Sequence, residues 1–316
     1  MNRTISHRYY WKTTRSMADS SWKQHPFFTV WLPAGRPKTL PAALAPVIMG
    51  TGLALHDGAF HLWAALAAGV GALLIQIGTN YANDYFDHIK GADDKERLGP
   101  VRATATGQVP PEAMKKAFLI TFGLTIMVGL YLVVRGGWPV VVIGALSILS
   151  GIAYTGGPFP LAYNGLGDLF VLIFFGPVAV AGTYYVQALE VNTTVILLGL
   201  APGLLSTAIL TVNNLRDIVS DRRAGKHTLA VRFGEPFARA EYLFCLFGAP
   251  VIVAAITWTR YGNDLALISL FALLFSIPAI RIVLNTPPGR IYNMVLADTG
   301  KTLFIFSLLF AIGWNL

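Results

Sequence analysis

Charge is scarce in this chain. Only 13% of its 316 residues are Asp, Glu, Lys or Arg, about half the share of an average soluble protein. With 54% hydrophobic residues, that scarcity excludes a soluble globular protein and points to a membrane chain. Cysteine occurs once, at Cys245 within an apolar run, which excludes a disulfide framework inside one chain and reads as a packed core residue. The six histidines are scattered, with no metal-ligand spacing. The first 28 residues carry Arg3, Arg8, Lys12, Arg15 and Lys23 but no apolar segment of signal-peptide length. They read as a polar cytoplasmic tail, 1–28, ahead of a membrane domain over 29–316.

What is present is a succession of apolar runs long enough to cross a bilayer, which takes about 20 residues. The expected fold is all-α, a polytopic membrane protein of nine spans: 38–56, 60–82, 115–134, 138–155, 166–188, 193–214, 238–259, 263–284 and 297–315. Basic residues set the orientation. The tail through Lys38 and the loops after the second, sixth and eighth runs hold all the Lys and Arg except Arg135 and Arg260. The amino terminus is therefore expected inside and the carboxyl terminus outside. The same asymmetry accounts for the net charge of +8 without a nucleic-acid partner.

The rare acids are concentrated. Asp84, Asp87, Asp93, Asp94 and Glu96, five of sixteen, lie in the stretch 80–102, where the second run meets the cytoplasmic face. A second cluster, NNLRDIVSDRRAGKHT over 213–228, closes the sixth run on the same side. Carboxylates at a membrane boundary are costly unless paired, and so are functional candidates. Asn83, Asp84 and Asp87 share one helical face, as do Asp217 and Asp221 with Asn213 and Asn214 a turn earlier. Oxygen-rich faces of this kind suit Mg²⁺, which takes a few carboxylates together with waters and substrate phosphates. The interleaved cations Lys90, Arg97, Arg102, Arg216 and Lys226 complement phosphate oxygens.

These motifs resemble the UbiA superfamily of intramembrane prenyltransferases. The form NDYFD…GAD…ERLGPVR, with NNLRDIVSDRRAGKHTLAVRFG, RPKTLPAALAPVIMG (36–50) and YTGGPFPLAYNGLGDLFVLIFFGPVAVAGTYYVQ (154–187), is similar to its 1,4-dihydroxy-2-naphthoate polyprenyltransferase branch. The family's first motif usually places a further acid four residues after Asp87; here Gly91 stands there and the acid comes at Asp93. The resemblance implies helices around a central cavity and metal or diphosphate binding by Asn83, Asp84, Asp87, Asp217 and Asp221. It implies Lys90, Arg102 and Lys226 as diphosphate contacts, and an apolar pocket for the isoprenoid tail that can open sideways to lipid.

Asn80, Asp93, Arg97, Asn164, Asn213 and Asn214 are counted with the substrate-binding residues. Tyr154 is expected to stabilise an allylic cation through its ring or to bond the acceptor, interfacial anchoring being the plain alternative. Asp168 reads as a helix-start residue. Arg36 could meet the acceptor's carboxylate or the diphosphate. The expected activity is Mg²⁺-dependent transfer of a polyprenyl group from its diphosphate to 1,4-dihydroxy-2-naphthoate, with decarboxylation, in the cell inner membrane. The motif chemistry alone leaves open another aromatic acceptor (homogentisate or 4-hydroxybenzoate), and a cation-coupled transporter as a different class.

Overall fold

The computed structural model describes residues 27–92, 98–100, 102–261 and 264–316. The expected tail lies almost wholly outside the described residues, as do Asp93 and Arg97.

The expected apolar runs all become helix. Ahead of the first lie a helix the runs did not include, α1 (Phe27–Ala34), and a 3₁₀ turn at Pro37–Thr39; the first run itself is α2 (Leu40–His56). Then come α3 (Leu62–Ile89), α4 (Pro111–Gly136) and α5 (Trp138–Ala153). The fifth run breaks into α6 (Gly167–Phe174) and α7 (Pro177–Ala188), because Pro177 cannot continue the hydrogen-bond ladder of α6. They are followed by α8 (Thr193–Arg216), the short α9 (Ile218–Arg223) and α10 (Leu229–Ile256), then a 3₁₀ stretch at Asp264–Ser276 leading into α11 (Ile277–Asn285), and α12 (Tyr292–Trp314).

Among the described residues eight helical segments are long and apolar enough to cross a membrane, and α5 is not one of them. Its 16 residues extend about 24 Å at the α-helical rise, a shorter apolar helix beside the other eight. A tight turn at Gly137 (φ 70°) starts it, and a run of turns from Tyr154 ends it. α3 runs further than the hydropathy suggested, to Ile89, and Asn83 and Asp87 in its extension line a site. α10 starts earlier than expected, at Leu229, with a kink at Gly234 (φ 86°, ψ 175°) between its first turns and the apolar run.

The packing has one axis. Of the most apolar stretch of α8, 78% is buried. Around it α2, α7, α10 and α12 build the main core through Met49, Leu205, Tyr242 and Phe306, while α1, α3 and α4 hold a smaller one around Met114 and Phe122. Close approach is bought with glycine: a Cβ on Gly199 of α8 would sit 2.7 Å from Pro177 Cα, and one on Gly203 2.5 Å from the Leu172 carbonyl. Among the described residues α5 contributes none that is fully buried. It lends the half-buried Ile148 and Ile152 to the smaller core and otherwise borders a cavity.

These contacts fix an expectation for thermal unfolding in detergent. Gly199→Val forces backbone against backbone and lowers stability by roughly 1–3 kcal/mol, as overpacking does. Gly123→Ala on α4, which has nothing within 4 Å of an added Cβ, leaves stability unchanged or raises it by up to about 1 kcal/mol.

Candidate diphosphate and metal site

Both acidic clusters sit where a helix stops, and each stop is built the same way. At the end of α3, Gly91 takes φ +66°; its N–H bonds the His88 carbonyl at 3.0 Å and the Ala92 N–H bonds the Asp87 carbonyl at 2.9 Å. At the end of α9, Gly225 takes φ +70°, with Gly225 N–H on Arg222 at 3.3 Å and Lys226 N–H on Asp221 at 2.8 Å. Each is a Schellman termination, with glycine in the left-handed position. This explains the departure at Gly91: an acid there would carry a Cβ into a conformation that disfavours it. Asp217 marks a one-residue break between α8 and α9. The bonds Asp217 N–H to Asn213 (3.1 Å) and Asp221 N–H to Asp217 (2.8 Å) run across it and keep both acids on one face.

Carboxylates at helix carboxyl ends oppose the helix dipole, and here they are also buried: Asp87 is 1% exposed and Asp217 6%. Cations offset both penalties. Asp87 is paired with Arg102 and with Lys226 at 3.3 Å, and accepts the Tyr163 hydroxyl at 3.0 Å. Asp217 is gripped in a fork by Arg216, Nε to Oδ1 at 2.9 Å and Nη2 to Oδ2 at 2.6 Å. Lys90 donates to the Thr155 carbonyl at 2.7 Å, and its ammonium and that of Lys226 lie 4.6 and 5.0 Å from the centre of the Tyr163 ring. Desolvation draws the Lys90 ammonium below the ordinary lysine range; Asp87 opposes that shift and Lys226 adds to it.

The structure brings Arg36, Asn83, Asp87, Arg102, Tyr154, Asn213, Asn214, Asp217, Asp221 and Lys226 around one polar cleft of about 70 Å³. Below it lies an apolar cavity of about 800 Å³ walled by α2 to α8. Arg36, Asn83, Tyr154 and Asn213 border both spaces and so mark their junction. Arg36 holds a left-handed backbone (φ 53°, ψ 70°), a strained state for a residue other than glycine. The surrounding polar groups hold it there. Asn80 Nδ2 donates to the Gly35 carbonyl at 2.9 Å, the Thr39 hydroxyl donates to the Arg36 carbonyl at 2.9 Å, and Gln76 Nε2 donates to Thr39 Oγ1 at 3.0 Å.

Three expected site residues also make structural bonds. Asp84 does not border the cleft: its oxygens accept the backbone N–H groups of Ala103 (3.0 Å) and Thr104 (3.2 Å). It organises the turn that delivers Arg102. Asn164 spends its amide on the Pro160 carbonyl at 2.8 Å, inside its own loop. Asn80 borders the apolar cavity but donates to the backbone that seats Arg36.

Sequence reasoning gave no role to Thr155, Tyr163 or Asn293, and gave Arg216 a different one. Thr155 donates to Asn83 Oδ1 at 2.8 Å, and Tyr163 joins Asp87 to both lysines. Arg216, next to Asp217 in the motif, had been counted only as a phosphate-complementing cation. Asn293 of α12 accepts from Arg216 Nη1 at 2.8 Å and donates to the Leu98 carbonyl at 2.9 Å. It ties the segment after the first motif to the second, and nothing in the sequence announces that.

The donor set of the cleft is hard oxygen, carboxylate and amide. Among the described residues no three acidic, His or Cys side chains form a complete metal cage. Such a set fits Mg²⁺ completed by waters and substrate phosphates.

Asp84 and Asp87 can be told apart by substitution. Asp84→Ala strips two charge-assisted bonds and is expected to cost roughly 1.5–3 kcal/mol of thermal stability, while the Mg²⁺ concentration for half-maximal turnover stays near that of the parent. Asp87→Asn is expected to raise that concentration. Equal displacement of the metal requirement in both variants would contradict the assignment.

Comparison with known proteins bears on the whole chain. The 1,4-dihydroxy-2-naphthoate octaprenyltransferase of Escherichia coli (strain K12) is 41% identical over 295 residues, covering 90% of this chain and 94% of that protein. The Mycobacterium tuberculosis protein of the same name is 39% identical, covering 89% and 95%. Among solved structures, a UbiA homolog from Archaeoglobus fulgidus bound to GPP and Mg2+ superposes with a TM-score of 0.63 at 16% identity, covering 90% of this chain and 99% of that one. Residues 43–311 match the model of the UbiA prenyltransferase family; the chain is an integral membrane protein belonging to that family.

Proposed function

We propose that this protein transfers a polyprenyl group from its diphosphate to 1,4-dihydroxy-2-naphthoate, releasing pyrophosphate and carbon dioxide and forming demethylmenaquinone in its reduced form. The observation that carries this reading is the junction itself. A cation-lined carboxylate cleft opens directly onto an apolar cavity through Arg36, Asn83, Tyr154 and Asn213. A molecule with a diphosphate head and an isoprenoid tail fits that boundary, with its reacting carbon at the junction. The naphthoate acceptor rests on the relatives, named for it at 34–41% identity over about nine-tenths of the chain. A transporter finds no support among them.

Mg²⁺ bound among Asn83, Asp87, Asp217 and Asp221 would stabilise charge on the departing diphosphate. The protein's own groups do the rest. Arg102 and Lys226, held on Asp87, are within reach of phosphate oxygens at the same cleft, so the diphosphate is met by cations already in position. As the carbon–oxygen bond of the donor breaks, the Tyr154 ring at the junction offers its negative face to the allylic cation. The apolar walls keep water from that cation until the ring carbon of the acceptor forms the new bond. Arg36, fixed by Asn80 and Thr39, is placed to pair with the acceptor's carboxylate before it leaves as carbon dioxide. By the distribution of basic residues, the cleft faces the cytoplasm and the carboxyl terminus lies outside the plasma membrane.

Purified protein given naphthoate, a polyprenyl diphosphate and Mg²⁺ is expected to yield pyrophosphate and a prenylated, decarboxylated product identified by mass, and EDTA to stop it. Prenylation of homogentisate or 4-hydroxybenzoate in preference to the naphthoate would overturn the acceptor, and no pyrophosphate release would overturn the reaction. Asp87→Ala and Asp217→Ala should each lower kcat by about 10²-fold or more, the scale of losing one electrostatic stabiliser, while still inserting in the membrane.

A further inference from the structure

Ser206 of α8 stands out among the hydroxyls around the large cavity. Thr125 and Ser147, which border the same space, donate to carbonyls of their own helices at 3.0 and 2.8 Å. Thr207 and Thr211, its neighbours on α8, do the same, each at 3.0 Å. Ser206 borders the cavity and is 3% exposed, and its hydroxyl has no hydrogen-bond partner among the described residues. A buried hydroxyl left unpaired is costly, and a ligand that brings an oxygen to that point removes the cost.

The surroundings of Ser206 form a corner with a definite shape. Ser206, Ile209, Leu210 and Asn213 recur at the spacing of one helical face and all border the cavity. The hydroxyl therefore lies two turns below the Asn213 amide at the junction, about 10 Å at the helical rise. Beside this face, α6 brings Phe170 and Phe174 to the same space, their rings stacked at 5.9 Å with an interplanar angle of 11°. Toward the junction the corner narrows: a Cβ built on Gly167 would lie 3.3 Å from the Tyr154 hydroxyl oxygen and 3.4 Å from Leu210 Cδ2. At its deep end it is shut where Gly203 meets α6, since a Cβ there would fall 2.5 Å from the Leu172 carbonyl oxygen.

We propose that this corner between α6 and α8 seats the aromatic acceptor, and that Ser206 recognises the hydroxyl on the far side of its ring as a specificity determinant. The inference rests on the prenyl-transfer reading and deepens it. The fit is one of length and of chemistry. With the carboxylate on Arg36 at the junction, the ring lies between Phe170 and Leu210 and points down the face of α8. A carboxylate, a ring and a hydroxyl cover most of the distance to Ser206, and hydrogen bonds of about 2.8 Å at each end complete it. Of the acceptor's two hydroxyls, the 1-hydroxyl adjoins the carboxylate and stays beside Tyr154, whereas the 4-hydroxyl is directed away and meets Ser206. An isoprenoid tail has no oxygen to offer Ser206, and a corner shut at its deep end gives a long tail no continuation. The tail takes the wider space along α3, α4 and α5.

The test compares 1,4-dihydroxy-2-naphthoate with 1-hydroxy-2-naphthoate, which lacks only the 4-hydroxyl. Equilibrium binding of each is measured on the purified full-length protein in detergent, anaerobically and without donor. The parent is expected to bind the dihydroxy compound roughly three- to tenfold more tightly, the worth of one hydrogen bond, and Ser206→Ala to abolish that preference. Equal affinities in the parent, or a preference that survives in Ser206→Ala, overturns the proposal. Because the substitution removes an unpaired group, the melting temperature of the unliganded variant is expected to hold or rise; a clear fall would mark the hydroxyl as structural and overturn its role toward a ligand. In turnover, the KM for the naphthoate should rise by the same factor while that for the prenyl diphosphate stays put. Binding needs no turnover. A protein that discriminates through Ser206 but transfers no prenyl group would therefore sink the reaction and leave the seat standing, and one that binds neither naphthoate would overturn both.

Discussion

Two carboxylates, Asp87 and Asp217, are buried at the carboxyl ends of membrane helices, where both desolvation and the helix dipole oppose a negative charge. Everything at this end of the molecule is arranged around that problem. Arg102, Lys226 and Arg216 neutralise the two acids, Tyr163 and Asn213 add hydrogen bonds, and Asp84 folds the turn that carries Arg102. Removing one partner from a buried pair costs roughly 3–5 kcal/mol, so the arrangement is kept only if the charges are needed. A site that must hold a divalent cation and a diphosphate needs both signs of charge in one small, dry space.

The rest of the fold serves that end by staying open in the middle. α8 is the packed axis, and the helices that contact it most closely do so over glycine. α5 has no fully buried residue among those described and joins the smaller core only through the half-buried Ile148 and Ile152. A tight core and a loosely walled cavity side by side let the molecule be stable where it anchors the site and accommodating where it takes a long apolar chain.

Much of this was legible in the residues. The apolar runs located every long helix, though not the short α1 and α9, and the acids and asparagines at two of their ends located the cleft, because membrane segments tolerate so few charges. Gly91, noticed first as a departure from the family's spacing, marks where α3 must stop. What could not be read was direction and distance. Asp84 shares a helical face with Asp87, yet its carboxylate turns to the backbone of residues 19 and 20 positions away. Asn293 meets Arg216 from 77 residues away and Leu98 from 195, and no local pattern encodes such a pairing. The hydropathy of α5 gave no sign that its packing is sparse, since lipid and cavity ask for the same side chains.

The central claim is that the two motifs form one site around a single diphosphate. The most direct measurement replaces Mg²⁺ by Mn²⁺ and records the ³¹P hyperfine coupling of a bound, non-reacting prenyl thiolodiphosphate. One shared site requires strong coupling in the parent protein and its loss in both Asp87→Ala and Asp217→Ala. Full coupling surviving in either variant would contradict it.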